Sequence, residues 1–172
     1  LVICTPYFNF PRTLQQKLTA RLAEGKKVEI IVGDKTANDF YIPPEEPFKM
    51  AGGLPYLYES NLRRFCEKFA AQIEQGLLTV RLWRDGDNSY HLKGVWVDDN
   101  YILLTGNNLN PRAWRLDAEN GLLIHDPKHQ LREQALQELS YIRQHTQPLS
   151  HFSQLQELTD YPEPVQKLLK KF

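Results

Sequence analysis

A chain of 172 residues, 41% of them hydrophobic and 24% charged, is large enough to form one domain with a packed core. Its 21 basic and 21 acidic side chains balance, so no overall electrostatic field attracts nucleic acid or an anionic membrane, and any such contact must be local. The two cysteines, Cys4 and Cys66, have no disulfide framework around them and predict buried free thiols of a cytosolic protein.

Strands and helices alternate in the first third of the chain. Residues 1–5 predict a strand, residues 11–25 an amphipathic helix, and residues 27–33 a second strand of nearly continuous aliphatic side chains, typical of a sheet covered on both faces. The order strand, helix, strand predicts a parallel pair. Segment 34–55 contains several prolines and glycines and is too long for a plain connection, which indicates a functional loop.

The remaining sequence predicts a mixed sheet between helices, so the fold class is α/β. The predicted elements are a helix at 56–75, a strand at 78–84, a hairpin of strands at 89–97 and 101–104, a strand at 121–125, a helix at 128–145 and short helices over 151–172. We expect residues 1–150 to form one lobe and residues 151–172 a C-terminal helical extension.

The predicted hairpin concentrates the polar residues suited to phosphate chemistry. Because side chains two residues apart on a strand share a face, His91 and Lys93 are expected to meet a common anion. Asn108 and Asn110 follow the second strand, where their amide groups can donate to phosphoryl oxygens. A catalytic histidine is favoured over a structural one, because His91 stands two residues from a lysine and ahead of paired asparagines.

Two acidic residues near the hairpin receive different predictions. Asp98 lies in the turn between the strands, where local hydrogen bonding is the common role of aspartate, so a structural role is favoured over a catalytic one. Glu119 is the nearest acid beyond the asparagines that can reach a histidine ring nitrogen and fix its tautomer. The alternative for Glu119 is an ordinary solvated carboxylate.

A second polar cluster follows the strand at 27–33. Asp34, Lys35, Asn38 and Asp39 lie just beyond the carboxyl end of this strand, which is the edge at which α/β proteins bind ligands. These side chains are suited to hold the polar parts of a substrate, or they form a hydrophilic connection. The sequence favours neither interpretation.

These residues carry a resemblance to a known family. The pattern His91-x-Lys93-x4-Asp98, with Asn108 and Glu119 after it, is similar to the HxK(x)4D signature of the phospholipase D superfamily. Three blocks resemble the bacterial phosphatidylserine synthases of that superfamily, and the likeness covers nearly all of the chain; the blocks are residues 33–41, 54–59 and 106–116. One departure is Thr105-Gly106, where many superfamily members have Gly-Ser, so Thr105 or Asn107 would have to replace the serine hydroxyl.

The resemblance implies a phospholipase D-like lobe and an activity in phospholipid biosynthesis. Such a transferase moves a phosphatidyl group from CDP-diacylglycerol to L-serine through a phosphohistidine and releases CMP, without a metal or another cofactor. It implies a cytoplasmic protein, peripheral to the inner membrane, that contacts an anionic membrane surface. The alternatives are a superfamily nuclease or phosphodiesterase, which the balanced charge disfavours, and a lobe without activity that binds a partner.

One histidine motif is not enough for this chemistry. In-line displacement at phosphorus needs a nucleophile on one side and an acid on the other, and the other four histidines are not followed by x-Lys. The chain also begins on an apolar stretch without methionine and ends in a basic amphipathic segment. By the resemblance, it is expected to be the C-terminal lobe of a longer enzyme, inactive unless paired with the N-terminal lobe of that enzyme; association into a homo-oligomer is left open.

The last eight residues predict an amphipathic helix. Val165, Leu168, Leu169 and Phe172 recur at helical spacing, with lysines between them. Such a helix either docks on an anionic membrane or packs on its own lobe, and the lipid substrate implied by the resemblance favours the membrane. The sequence shows neither a signal-peptide pattern nor an apolar run long enough to span a bilayer.

Overall fold

A seven-stranded mixed sheet organises the protein, in a computed structural model that describes residues 1–43 and 45–171. The spatial order is β6-β5-β4-β1-β2-β3-β7, with β1, β2 and β3 parallel and every other pair antiparallel. The strands are β1 Val2–Thr5, β2 Val28–Gly33, β3 Leu78–Trp83, β4 Gly94–Val97, β5 Tyr101–Thr105, β6 Gly121–His125 and β7 Thr146–Pro148. The predicted mixed sheet and its parallel pair are therefore confirmed.

Helices lie on both faces of this sheet. They are α1 Arg12–Ala23, α2 Leu54–Lys68, α3 Ala70–Glu74, α4 Pro111–Arg115, α5 Arg132–Arg143 and α6 Glu163–Leu169, with short 3-10 turns between some of them. On β2, Ile30 packs into a core with α1 and α2, while its neighbour Ile31 packs against α5 on the opposite face. Burial on both faces explains why β2 is aliphatic throughout rather than alternating.

Each of the two cysteines lies in a different region of the core. Cys4 on β1 and Cys66 on α2 are both buried and unpaired, as the sequence predicts. Burial raises the pKa of each thiol to about 12, so both stay protonated and unreactive at neutral pH.

Several predicted boundaries are wrong for local reasons. The strand expected at 89–97 begins only at Gly94. The helix expected at 128–145 begins at Arg132, because the Asp126 carboxylate accepts a hydrogen bond from the Leu131 backbone (2.7 Å) and holds a turn before it. The helix expected at 56–75 is two helices that meet at Phe69.

The C-terminal extension packs on the lobe. Val165 is 1% exposed and contacts Tyr56 and Tyr161, and Leu168 lies against Gly53. The apolar side of α6 is thus used within the protein, which is the second of the two alternatives for this helix; Phe172 lies outside the described residues. In the part of the chain that the structure describes, no helix is long and apolar enough to cross a bilayer.

A carboxylate on β2 joins three elements that are distant in sequence. Glu29 accepts hydrogen bonds from Arg81 on β3 (2.6 Å) and Arg143 at the end of α5 (3.0 Å), and its side chain is 15% exposed. Burial alone would raise the pKa of Glu29, but the hydrogen bonds from the two arginines outweigh it and hold that pKa below its ordinary range.

We expect Glu29→Gln to lower the free energy of unfolding by about 1–3 kcal/mol at pH 7, because two guanidinium groups lose their counter-charge. Since the folded pKa is depressed, this contribution is present above the unfolded pKa and is lost as the pH falls through the folded value. Urea unfolding should therefore show the two proteins converging in stability below roughly pH 4.

The matched control is Glu24→Gln, which breaks the exposed pair between Glu24 and Arg21 on the first helix. It should change stability by less than about 0.5 kcal/mol at either pH. A Glu29→Gln protein as stable as the control variant at pH 7 would show that the Glu29 network contributes nothing net.

Candidate active site

Except for Asp98, the polar residues singled out in the sequence gather at one edge of the sheet. The parallel strands β1 and β2 end there, at Thr5 and Gly33. Because β4 and β6 start at that edge and β5 ends at it, the segments before β4, after β5 and before β6 meet the loops that follow β1 and β2. Carboxyl ends of parallel strands are the usual ligand-binding edge of α/β folds.

His91 and Lys93 contact each other at this edge. The Lys93 ammonium lies 2.7 Å from Nδ1 and 3.2 Å from Nε2 of the imidazole, and it donates to the His91 carbonyl oxygen at 2.8 Å. The two residues precede β4 rather than lying on it, so their convergence comes from this irregular segment and not from strand alternation. Tyr90 anchors the segment, because its ring is buried and its backbone N–H donates to Ala37.

The electrostatic surroundings of Lys93 include two carboxylates. Burial lowers the pKa of Lys93, and the nearby Asp39 and Glu119 oppose this effect only in part. His91 is 58% exposed, so the edge is open to solvent and to a substrate. An imidazole and an ammonium held in contact are suited to bind a phosphoryl group between them and to exchange a proton with it.

Asparagines after β5 build the loop beside these groups. Asn107 accepts from the Leu109 backbone (2.8 Å) and donates to the Ala113 carbonyl (3.0 Å), and the Asn110 side chain accepts from the Ala113 backbone (2.8 Å). The Asn110 oxygen therefore caps α4, and the role of its NH2 group in binding phosphate stays a prediction. Asn108 alone among the three makes no side-chain hydrogen bond within the described residues, and its amide oxygen is buried without a partner.

This loop is fixed to the core on both sides of Asn108. Thr5 at the end of β1 is fully buried and donates to the Asn108 carbonyl at 2.9 Å. Leu109 has φ 52° and places its side chain in the core. These contacts fix the backbone of the loop around Asn108, and the role of its amide in binding a phosphoryl oxygen stays a prediction.

Glu119 lies over Gly106. A Cβ atom at position 106 would stand 2.4 Å from the Glu119 carboxylate, so the glycine leaves the room that this carboxylate fills. Thr105 donates to Asn120 and accepts from the Asn107 backbone, so its hydroxyl is already used, whereas the Asn107 amide gives one of its two N–H groups to Ala113 and has a second to donate. No hydrogen bond joins Glu119 to His91 among the described residues, and its orienting role stays a prediction.

The polar residues after β2 make mostly internal contacts. Asp34 accepts from the Thr36 backbone (2.8 Å), and Asn38 accepts from the Phe40 backbone (2.9 Å). Lys35 pairs with Glu59 on α2 at 2.9 Å and also contacts Gln156 in the C-terminal extension. These bonds shape the loop and dock the extension, and the substrate-binding roles of Asp34, Lys35 and Asn38 remain predictions.

The loop after β2 brings Asp39 to His91; the sequence groups Asp39 with Asp34, Lys35 and Asn38 as a candidate for ligand binding but does not predict this contact. Its carboxylate lies 3.6 Å from Nε2 of His91 and accepts a hydrogen bond from the Tyr7 hydroxyl at 2.7 Å. The sequence does indicate that Tyr7 and Asp39 lie at the same edge of the sheet, because each follows the carboxyl end of one of two adjacent parallel strands.

Asp98 lies at the far end of the hairpin from His91. It has φ 49° and Asp99 has φ 57°, and the Asn100 backbone closes the turn on Val97 at 3.0 Å. These dihedral angles are those of a tight hairpin turn, which aspartate tolerates better than most residues.

Within residues 1–43 and 45–171, no group of three or more His, Cys, Asp or Glu side chains is arranged to hold a metal ion.

Comparison with known proteins agrees with this geometry. Residues 1–142 match the family model described as the PLD-like domain of cardiolipin synthase. The chain belongs to the PLD-like domain family. The phospholipase D family member Nuc from Salmonella typhimurium has the same fold, with a TM-score of 0.53 at 14% identity over 86% of this chain and 79% of Nuc.

Two curated relatives of this PLD-like domain are each named CDP-diacylglycerol–serine O-phosphatidyltransferase. The protein from Haemophilus influenzae is 78% identical over 172 residues, and the protein from Escherichia coli is 60% identical over 171 residues. A crystal structure of the Haemophilus phosphatidylserine synthase superposes with a TM-score of 0.96 over 99% of this chain. The chain spans 38% of the length of each of these relatives.

Proposed function

We propose that this chain provides one of two HxK half-sites of a transferase that moves a phosphatidyl group from CDP-diacylglycerol to L-serine and releases CMP. The observation that carries the proposal is the contact between His91 and Lys93 at the ligand-binding edge of the sheet. The choice of substrates is supported by the activity named for the Haemophilus and Escherichia relatives.

The chemistry follows from what a phosphodiester requires. A nucleophile attacks phosphorus in line with the leaving oxygen, an acid protonates that oxygen, and positive groups stabilise the charge on the remaining oxygens. His91 either attacks phosphorus and forms a phosphohistidine, or protonates CMP and later removes the proton of the serine hydroxyl. Lys93 and the Asn108 amide hold the phosphoryl oxygens in both cases.

A second histidine has to stand on the opposite side of phosphorus. This chain contains one HxK pattern, and it spans 38% of the length of its relatives. The remaining half-site therefore comes from an N-terminal lobe of the same enzyme or, in a homo-oligomer, from a second copy of this chain. The open edge around His91 leaves room for either partner.

We place the protein in the cytoplasm, peripheral to the inner membrane, because its donor is a lipid in an anionic bilayer. The apolar side of α6 is packed on the lobe, so other residues have to make the contact. Phe40, Phe48 and Met50 are exposed on the segment that leaves the site after β2, with Lys49 among them. Sedimentation of the full-length protein with vesicles rich in anionic lipid, at low salt, tests this contact; recovery in the supernatant counts against it.

The function is tested by incubating the full-length protein with labelled CDP-diacylglycerol in vesicles, with and without serine. We expect a labelled lipid product and CMP only when serine is present. Lipid hydrolysis without serine would indicate a phosphodiesterase, and cleavage of a labelled oligonucleotide would indicate a nuclease. Full turnover by a monomeric 172-residue chain would contradict the half-site proposal.

A further inference from the structure

The carboxylate nearest to His91 belongs to Asp39, in the loop after β2. Its Oδ2 atom lies 3.6 Å from Nε2 of His91, which is longer than a hydrogen bond but within ion-pair range when the ring is protonated. Catalytic hydrogen bonds are often long before the substrate is bound and shorten in the reacting complex.

Tyr7 fixes the direction of this carboxylate. The Tyr7 hydroxyl donates to the same Oδ2 atom of Asp39 at 2.7 Å. The Tyr7 ring is 6% exposed, stacks on Tyr58 with ring centroids 5.3 Å apart, and turns its edge towards His91 at 6.2 Å. A donor that is locked by packing in this way orients the carboxylate it bonds, as the outer partners of a catalytic histidine commonly do.

The contacts of His91 also select a tautomer. The Lys93 ammonium can only donate, and it lies closer to Nδ1 (2.7 Å) than to Nε2 (3.2 Å), so Nδ1 is the ring nitrogen better placed to accept. In the neutral ring this contact favours a proton on Nε2, the nitrogen 3.6 Å from Asp39. Among the described residues, the charged groups facing this ring are Asp39 and Lys93, and Glu119 acts electrostatically on Lys93.

The protonation states of the two partners fit this arrangement. Burial alone would raise the pKa of Asp39, but the hydrogen bonds from Tyr7 and Ser89 and the nearby His91 and Lys93 lower it, so the carboxylate is charged at neutral pH. Burial and the contact with Asp39 raise the pKa of Tyr7, so the phenol remains a donor.

We propose that Asp39, held by Tyr7, is a positioning residue for His91: it fixes the ring orientation and stabilises the imidazolium that forms during the reaction. As a statement about catalysis, the inference rests on the proposed transfer activity. The inference gives to Asp39, in the loop after β2, the role of orienting the His91 ring that the sequence predicts for Glu119.

The kinetic test compares Asp39→Asn, Tyr7→Phe and Asp39→Glu in the full-length enzyme. Asp39→Asn should lower kcat by about 10- to 100-fold with little change in either KM, and Asp39→Glu should recover part of the loss. Without the neighbouring negative charge the imidazolium is less stabilised, so the limb of the pH–rate profile that depends on His91 should move to lower pH. Tyr7→Phe should act in the same direction but less strongly.

The matched control is Asp85→Asn, because Asp85 and His145 form a similar pair, 3.5 Å apart, elsewhere on the lobe. It should change neither kcat nor the pH profile. A loss that appears only in the KM for serine would make Asp39 a substrate-binding residue, and an unchanged kcat and pH profile would remove it from the site; both results overturn the inference.

An NMR titration separates this inference from the proposed function. The pH midpoint of the His91 ring resonance, followed without substrate, should fall in Asp39→Asn and Tyr7→Phe but not in Asp85→Asn. If this shift appears in a protein without transferase activity, the proposed function fails and the contact stands. If transfer is observed and no variant moves the midpoint, the inference fails and the function stands.

Discussion

Replacing His91 with alanine in the full-length enzyme is expected to lower the rate of phosphatidyl transfer by roughly 10³-fold or more. The loss is large whichever role His91 has, because a nucleophile or a general acid acts on phosphorus itself and neither role passes to a neighbouring side chain. Lys93 and the Asn108 amide would still bind the substrate, so the KM for CDP-diacylglycerol should change much less than kcat. Initial rates of CMP release provide the measurement.

The matched control for this prediction is His125→Ala. His125 is exposed on β6 and stacks on Tyr101, at the end of the strands opposite to His91. The control enzyme should keep its rate within about twofold, since surface substitutions rarely disturb a distant site. A His91→Ala enzyme that retains even a tenth of the normal rate would remove His91 from the reaction.

Replacing Lys93 with methionine is expected to lower kcat by roughly 10²- to 10³-fold, the usual cost of removing one charge-stabilising donor. Methionine keeps most of the length of the side chain and removes only the ammonium that lies 2.7 Å from the imidazole. Lys93→Arg should recover only part of the rate, because a planar guanidinium does not place its charge where the compact ammonium stands.

Lys167→Met is the control for the loss of a positive charge. Lys167 is exposed on α6 and pairs with Glu163, away from the contacts of His91. The rate of the Lys167→Met enzyme should stay within about twofold of the rate of the unmodified enzyme. If Lys93→Met changed only the KM for the lipid donor, Lys93 would bind the ground state without stabilising the transition state.

Much of the fold follows from local patterns in the sequence. The aliphatic run of β2 and the helix before it predict a parallel pair, because these patterns depend on neighbours along the chain. Strand β7 lacks such a signal, since its three residues end in a proline and pair with β3 only at the sheet edge. The irregular segment before β4 is also not predicted, because Ser89 to Lys93 have a strand-like composition but do not pair with a neighbouring strand.

The site is predicted less completely than the fold. His91, Lys93 and Asn108 are close enough in sequence for their spacing to carry a signal. Tyr7 and Asp39 are brought to His91 only by the pairing of β1 with β2 and β4, which joins segments separated by tens of residues. The sequence places Tyr7 and Asp39 at the ligand-binding edge but gives no measure of their distance from His91, so the contact with the histidine is identified only in the assembled sheet.

The central claim is that His91 and Lys93 bind one phosphoryl group together, at the edge where β1 and β2 end. A crystal structure of the full-length enzyme with vanadate, a phosphate analogue, tests it most directly. The predicted result is an anion within hydrogen-bond distance of an imidazole nitrogen of His91, the ammonium of Lys93 and the amide of Asn108, with a second histidine on its far side. An anion bound elsewhere, or one that contacts neither His91 nor Lys93, would contradict the account.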